Sequence, residues 1–574
     1  MRAVDSLAQF GSGPVPSPAR RLEMRLTRAA HALAVAATFP LFVPAIRSAQ
    51  AQSDTWALVN ARIQTVSHGA IDKGTIIIRK GLIEAVGPTV PVPADARVLD
   101  LSGKTVWPGL LDLTSSLGLP SAPAGGGGPG GGGGGGGGAS AQASSGPRGL
   151  EPDREAAKEL RVSPSDVKPL RDLGITAVLV APSRGLFRGM SALVPLRDSV
   201  DATAIVREPV AMHIGYQGVS GDYPGTLLGV ISYQRQALYD AQRHSLLLDR
   251  FRTNPRGMSR PEREARLEAL VPVVRGQMPA FIEANSENEI RRAVRLAREF
   301  NLKAAVVGAT EGWLALDALA GRPLVVSVNF PQPTQTTGWS YRLSQRRTPG
   351  DSAAAAREVQ KLLEGNAAAF HKAGVRFALA SGGSRDFLPN VRKAIAAGLP
   401  ATVALEALTI NAAELAGAGE ILGSIETGKI ANLVVSTGDI LGDSARVSAV
   451  FVDGIRYEVA PPPPVRAANG GGAPAQMGGT WVVNLSSPQG PMDITFTVAQ
   501  SGATFSGTMT SMMGTQEISD GQIAGRTATW SMTIPVGGQS MTINYRAEVD
   551  GNQMTGTADL GSFGSATFTA QRRP

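Results

Sequence analysis

Few side chains in this 574-residue chain have obvious chemical potential, and the most telling pair lies in the run from Trp107 to Gly118, WPGLLDLTSSLG. An apolar stretch reaches an acid, Asp112, and passes into hydroxyls. Residues two apart on an extended strand project to the same side, so Thr114 and Ser116 share a face. Neutral hydroxyls are poor ligands for a zinc-like cation, which takes imidazole, thiolate or carboxylate. The chain has no cysteine and only five histidines. His31 is near the N-terminus, His68 lies in a Ser-His-Gly turn, and His244 and His371 fall in helical stretches. His213 ends an apolar run and is the one placed for a pocket, either as a substrate or general-base contact or as a hydrogen-bonded structural residue. Glu283 closes another apolar run and is a second pocket candidate; its competing reading is a carboxylate tied to a neighbouring Arg or backbone N–H. Arg188 belongs to Arg184–Ser191, read as a basic, glycine-containing loop that either holds an acidic group or is solvated. Ser381 and Gly382 follow a further apolar run.

The elements that must position these residues are legible as composition and period. Val106–Leu111, Ile175–Ala181, Ala192–Leu196, Pro209–Ile214, Ala280–Ile282, Ala304–Val307, Leu324–Val328 and Phe377–Ala380 are short continuous apolar runs separated by longer helical ones. Buried parallel strands read this way, and eight of them predict an α/β fold with a TIM-type (β/α)8 barrel over residues 106–419. Ser286-Glu287-Asn288-Glu289 forms a capping box ahead of Ile290, Ala293, Val294 and Ala297 at helical spacing. That helix should pack one face on the sheet. Residues 52–105 read as strands, as do 477–574, where alternating residues and glycine-rich turns predict an all-β domain, a small barrel or sandwich. Residues 121–147, with nine consecutive glycines, and the linker 461–476 cannot bury apolar surface.

Composition bounds the setting. Arg25 and Arg28 precede a mostly apolar Ala29–Ile46 and then Ser48-Ala49-Gln50-Ala51, the pattern of an export signal cleaved after Ala51 and starting at Met1 or Met24. The exported chain would be periplasmic or extracellular, with no stable membrane span after cleavage. Residues 1–51 hold six Arg and two acids, so their removal lowers the formal charge from +8 to +4. With no basic stripe interleaved with aromatics, nucleic acid is not an expected partner.

A resemblance gathers these residues. Val98-Leu99-Asp100-Leu101-Ser102-Gly103-Lys104 followed by Pro108-Gly109-Leu110-Leu111-Asp112, then Arg171-Asp172-Leu173-Gly174-Ile175-Thr176, Ala407–Ala413 and Gly423–Val435 resemble, in order, the amidohydrolase superfamily, in particular its imidazolonepropionase-like exported members. The likeness runs roughly from Trp56 to Glu458. It implies a metal-dependent hydrolase barrel acting on C–N bonds other than peptide bonds. It also implies a small composite β-sandwich made by both ends of the barrel chain, here 52–105 and 420–460, and often a homodimer. The family's His-x-His would stand at Thr114 and Ser116, a later His where Glu283 stands, another near Val306–Ala309, and the last-strand Asp, ligand and general base, at Gly382.

Three readings follow. With the ligands replaced, the barrel is catalytically degenerate and binds a small-molecule or peptide-like ligand, or a partner, without a cofactor. Alternatively it is an active exported hydrolase with a rearranged or single-metal site, and only then is zinc or another divalent ion expected. In the third, the C-terminal domain carries the function through Trp481, Phe496, Phe505 and Trp530, which either line an apolar cavity or fill a core.

Overall fold

Short segments carrying Ile, Val, Leu and Trp build the first strands, β1 (Thr55–Gln64), β2 (Ala70–Arg79), β3 (Leu82–Gly87), β4 (Arg97–Asp100) and β5 (Thr105–Pro108). The computed structural model describes residues 55–120, 149–200, 203–217, 224–330, 352–384, 386–460 and, with short breaks, 475–573. The expected leader, the glycine tract and positions 461–474 of the linker lie outside these residues. Lys80 and Gly81 turn β2 into β3 with positive φ at both, 50° and 80°, as a two-residue hairpin matched to strand twist requires.

The barrel wall is β6 (Leu110–Ser115), β7 (Ile175–Val180), β8 (Phe187–Met190), β9 (Ala192–Pro195), β10 (Met212–Ile214), β11 (Ala280–Ala284), β12 (Ala304–Gly308), β13 (Leu324–Ser327) and β14 (Phe377–Ala380). Strand β6 runs parallel to β7, and β10 to β14 form a continuous parallel series. Between the two groups the direction reverses: β9 is antiparallel to β7, and β8 to β10. Only residues 181–186 separate β7 from β8, whereas a parallel crossover needs about a dozen residues or more, so the chain turns back without a crossover and β9 returns antiparallel beside β7. Strands β8 and β9 act as one wall segment bent at Ser191, whose N–H donates to the Ala211 carbonyl at 3.0 Å. This corrects the expectation of eight parallel strands, and it puts Arg188 on a strand rather than in a loop.

A second correction concerns Val106–Leu111, which is not one strand. Gly109 interrupts it where a Cβ would fall 2.1 Å from Thr176 Oγ1; β5 pairs with β1, and β6 with β7. The barrel therefore begins at Leu110 instead of 106. After the barrel, β15 (Leu433–Thr437), β16 (Arg446–Val452) and β17 (Ile455–Glu458) join β5. The order is β17-β16-β15-β5-β1-β2-β3, with β4 on β1, a single eight-stranded sheet instead of two separate layers. It wraps a core that includes Leu58, Ile63, Ile76, Leu433 and Phe451, and Trp56 meets Phe451 edge-on across it at 6.0 Å.

The helix Glu287–Glu299 shows how the wall is backed. Its capping box forms between Ser286 and Glu289, and Ile290, Ala293, Val294 and Ala297 are buried in the barrel's core. Such a cap contributes about 0.5–2 kcal/mol. From Gly479 to Arg572, strands β18 (Gly479–Ser487), β19 (Gly490–Ser501), β20 (Thr504–Ser511), β21 (Gly514–Ala524), β22 (Thr527–Val536), β23 (Gln539–Asp550), β24 (Gln553–Asp559) and β25 (Ser565–Arg572) make a closed antiparallel barrel. Among the described residues no helix is long and apolar enough to cross a membrane.

Candidate functional site

Strands β6 and β14 lie side by side with no backbone ladder between them among the described residues. Asp112, buried on β6, supplies the join. It accepts from the Ser381 backbone N–H at 3.0 Å and from the Ser381 hydroxyl at 2.6 Å. On its own strand it accepts from the Thr114 N–H and hydroxyl, both at 3.1 Å. Thr114 Oγ1 then accepts from the Gly382 N–H at 2.8 Å. The Thr114 hydroxyl is thus committed as donor and acceptor to a seam between the first and last parallel strands. Burial pushes the Asp112 carboxyl above its ordinary range, and the bonds from Ser381 and Thr114 oppose that shift.

Above this seam opens a cavity of about 610 Å³. Of the candidate residues, Thr114, Ser116, Arg188, His213, Glu283 and Gly382 line it, with Asn285, Glu289, Glu311, Ser327 and Asn329. Ser381 is not among the lining residues; its hydroxyl is turned to Asp112. Gly382 is in the left-handed region at φ +59°, and a Cβ there would stand 1.9 Å from Ser327 Oγ. A side chain such as Asp has no room at that position in this backbone.

The charged end of the cavity is built by β8, β10 and β11. The Arg188 guanidinium, 6% exposed, pairs through Nη1 with Glu283 Oε2, and its Nε donates to the Gly185 carbonyl at 3.3 Å. Gly215 permits this: a Cβ there would meet Arg188 Nη2 at 2.3 Å. His213 packs edge-on against Phe281, with ring centroids 5.5 Å apart, and its Nε2 is buried without a partner. Burial, reinforced by the Arg188 charge, pushes its pKa down to about 3, so the ring is neutral in any physiological medium. The helix Glu287–Glu299, which follows β11, brings its N-terminus to the cavity wall, but carboxylates already occupy it. Glu289 accepts from the Asn285 and Ser286 N–H groups at 2.9 and 3.2 Å, and Glu311 from the Glu287 N–H at 3.0 Å.

This donor set does not fit a divalent metal. Thr114 is spent in the seam, Glu283 neutralises a buried Arg, Gly382 offers no side chain, and among the described residues no group of three or more His, Asp or Glu could hold an ion. Zinc sites need three or four converging nitrogen, sulfur or carboxylate ligands. Sequence reasoning missed Asn285, Glu289, Glu311, Ser327 and Asn329 as lining residues. Their shared signal is position: Asn285 and Glu289 follow β11, Glu311 follows β12, and Ser327 and Asn329 end and follow β13, at the C-terminal mouth where barrel sites form.

Comparison with known proteins places the fold. The amidohydrolase family's sequence profile matches residues 352–456. A solved amidohydrolase from Thermotoga maritima MSB8 is similar with a TM-score of 0.56 at 22% identity, over 70% of this chain and 99% of that one. The chain is amidohydrolase-like. Two further solved structures, a molinate hydrolase (17% identity, 71% of this chain and 95% of that one, TM-score 0.41) and a Xaa-Pro dipeptidase with methionine bound in its active site (16%, 70% and 100%, 0.43), are also similar. No curated protein matches the chain. In the amidohydrolase-like barrel the profile match takes in β14, with Ser381 and Gly382 at its end, and both β15 and β16 of the folded sheet.

The third reading meets a filled interior. In the C-terminal barrel Trp530 stacks on Tyr545 at 5.0 Å and meets Phe496, Phe505 and Phe568 edge-on at 5.6, 5.8 and 6.1 Å. Trp481 Nε1 donates to the Met477 carbonyl at 2.9 Å. These aromatics are one another's neighbours in a core cluster.

Proposed function

We propose that this amidohydrolase-like chain is an exported binding protein, catalytically degenerate, which recognises a small polar or peptide-like ligand at the barrel mouth without a metal. The observation that carries the proposal is the commitment of Thr114 and Gly382 to the β6–β14 seam through Asp112. Metal-assisted hydrolysis requires ligands to hold the ion and a base to take a proton from water. The positions that the resemblance assigns to those tasks give hydroxyls, a paired carboxylate and a glycine instead. A cavity of about 610 Å³ is within the range of small-molecule sites, and its wall of hydroxyls and amides suits a ligand rich in hydrogen-bonding groups.

The decisive experiment is elemental analysis and zinc titration of the purified mature chain, alongside an assay of dipeptide and N-acyl amino acid hydrolysis. The expected result is less than about one ion per ten chains and no turnover. Stoichiometric zinc that is lost on Glu283→Ala, accompanied by hydrolysis, would establish the active single-metal alternative. Export is checked separately: sequencing the N-terminus of protein recovered outside the cytoplasm should begin at Gln52.

A further inference from the structure

Resting on that reading of the barrel mouth, we infer that the ligand presents a protonated amine or guanidinium to Glu283 and His213. The charge census of the wall points this way. Among the described residues its ionisable side chains are Arg188, Glu283, Glu289, Glu311 and His213. With the imidazole neutral, carboxylates outnumber the single guanidinium among the described lining residues, and that guanidinium is already paired with Glu283. A cation entering such a cleft is favoured by the net field, and an anion is opposed by it.

The usual anion seat is also closed. A helix N-terminus attracts anions through its free N–H groups, but here Glu289 and Glu311 have taken the N–H groups of Asn285, Ser286 and Glu287. Among the described lining residues there is no Phe, Tyr or Trp, so these residues supply neither a platform for a sugar ring nor a cage for a quaternary ammonium. What the wall offers is hydrogen-bond acceptors for N–H groups. Glu283 is 37% exposed, and its Oε1 has no partner among the described residues.

An independent observation marks the same spot. His213 is 7% exposed and is among the residues lining the cavity, and its buried Nε2 has no hydrogen-bond partner among the described residues. Phe281 is its partner across the β10–β11 ladder, and Glu283, two residues further on, projects from the same face of β11. A buried polar atom left unpaired calls for an explanation, and a ligand's N–H donor at the cavity wall would supply one. A neutral imidazole nitrogen beside a carboxylate oxygen can accept from one ammonium group, and the Ser116 and Ser183 hydroxyls also line the cavity.

The test is calorimetric titration of the full mature chain with putrescine and agmatine, against succinate as the anionic arm and erythritol as the neutral one. The two cations should bind at least tenfold more tightly than either control. Glu283→Gln, which keeps an oxygen for Arg188, should weaken them tenfold or more. His213→Phe should weaken them about fivefold while the melting temperature of the free protein holds or rises, a combination that a merely structural histidine would not give. Equal or tighter binding of succinate or erythritol, amine affinity unmoved by both variants, or no amine binding at all would overturn the inference. Metal content is measured on the same samples: stoichiometric metal defeats the binding-protein reading, whereas metal-free protein indifferent to amines defeats only the choice of ligand.

Discussion

In the C-terminal barrel each of the eight strands is joined to both neighbours by a backbone ladder, and β25 completes the ring by pairing with β18 from Trp481 to Ser486. In the amidohydrolase-like barrel the meeting of β6 and β14 has no ladder among the described residues, and three hydrogen bonds from Ser381 and Gly382 to Asp112 and Thr114 bridge it. The interiors differ in the same sense. One is packed with aromatic rings, while the other keeps a polar cavity at its mouth. A ladder closes a barrel with backbone groups that every residue carries, leaving side chains free to fill the centre. A seam closed by side chains consumes particular residues, and here it consumes Asp112, Thr114 and Ser381. On the proposed reading, the structural use of Thr114 and the want of an ion grip have one cause.

The comparison breaks or sharpens under mutation. Trp530→Ala should have the largest effect, since the ring is 3% exposed and meets four other aromatic rings; truncating such a residue costs about 3–5 kcal/mol. Urea unfolding followed by tyrosine and tryptophan fluorescence measures it, and a cost below about 1 kcal/mol would mean the interior is not packed as described. Asp112→Ala comes next. It leaves the N–H of Ser381 and of Thr114 and both hydroxyls without their acceptor, and the expected loss is roughly 2–4 kcal/mol. A negligible loss in the same measurement would show that the seam is held by something else. Gly382→Asp follows at roughly 2 kcal/mol, from left-handed backbone strain and displacement of Ser327. Zinc titration of that variant should still show no site; zinc recovered by this one change would mean that the seam does not forbid a metal.

Much of the architecture is legible in sequence because burial and period are local properties. The apolar runs from Ile175 to Ala380 and the capping box at Ser286 need no knowledge of partners. The reversal at β8 and β9 was also within reach, because a six-residue connection excludes a parallel crossover; treating Arg184–Ser191 as a single loop hid it. The site is harder. That Glu283 is paired with Arg188, 95 positions away, depends on β8 lying beside β10 and β10 beside β11. Glu289 could be read as a helix cap but not as a cavity wall, since capping is a matter of spacing and lining is a matter of where the helix points. Asp112 looked like part of a motif, and its role emerges only when β14 is brought alongside, 269 positions later.

The smallest effect tests why a carboxylate, not an amide, sits in the seam. Asp112→Asn keeps the shape and an acceptor oxygen, and at neutral pH it should lie within about 1 kcal/mol of the parent, because an isosteric neutral group avoids the cost of burying a charge. The pH dependence separates the two. Burial raises the native pKa of Asp112 above the ordinary 3.8, so between that ordinary value and the native one the folded state binds more protons than the unfolded state. Stability contributed by the parent residue therefore falls as pH rises through this window, and is greatest below 3.8, where both states are protonated. Subtracting the Asn variant's unfolding free energy from the parent's at each pH from 3 to 8 removes the titration of every other group. The difference should decline with rising pH and then level off. A difference that climbed instead would mean that the hydrogen bonds from Ser381 and Thr114 outweigh burial, and that the seam is an ionised clamp.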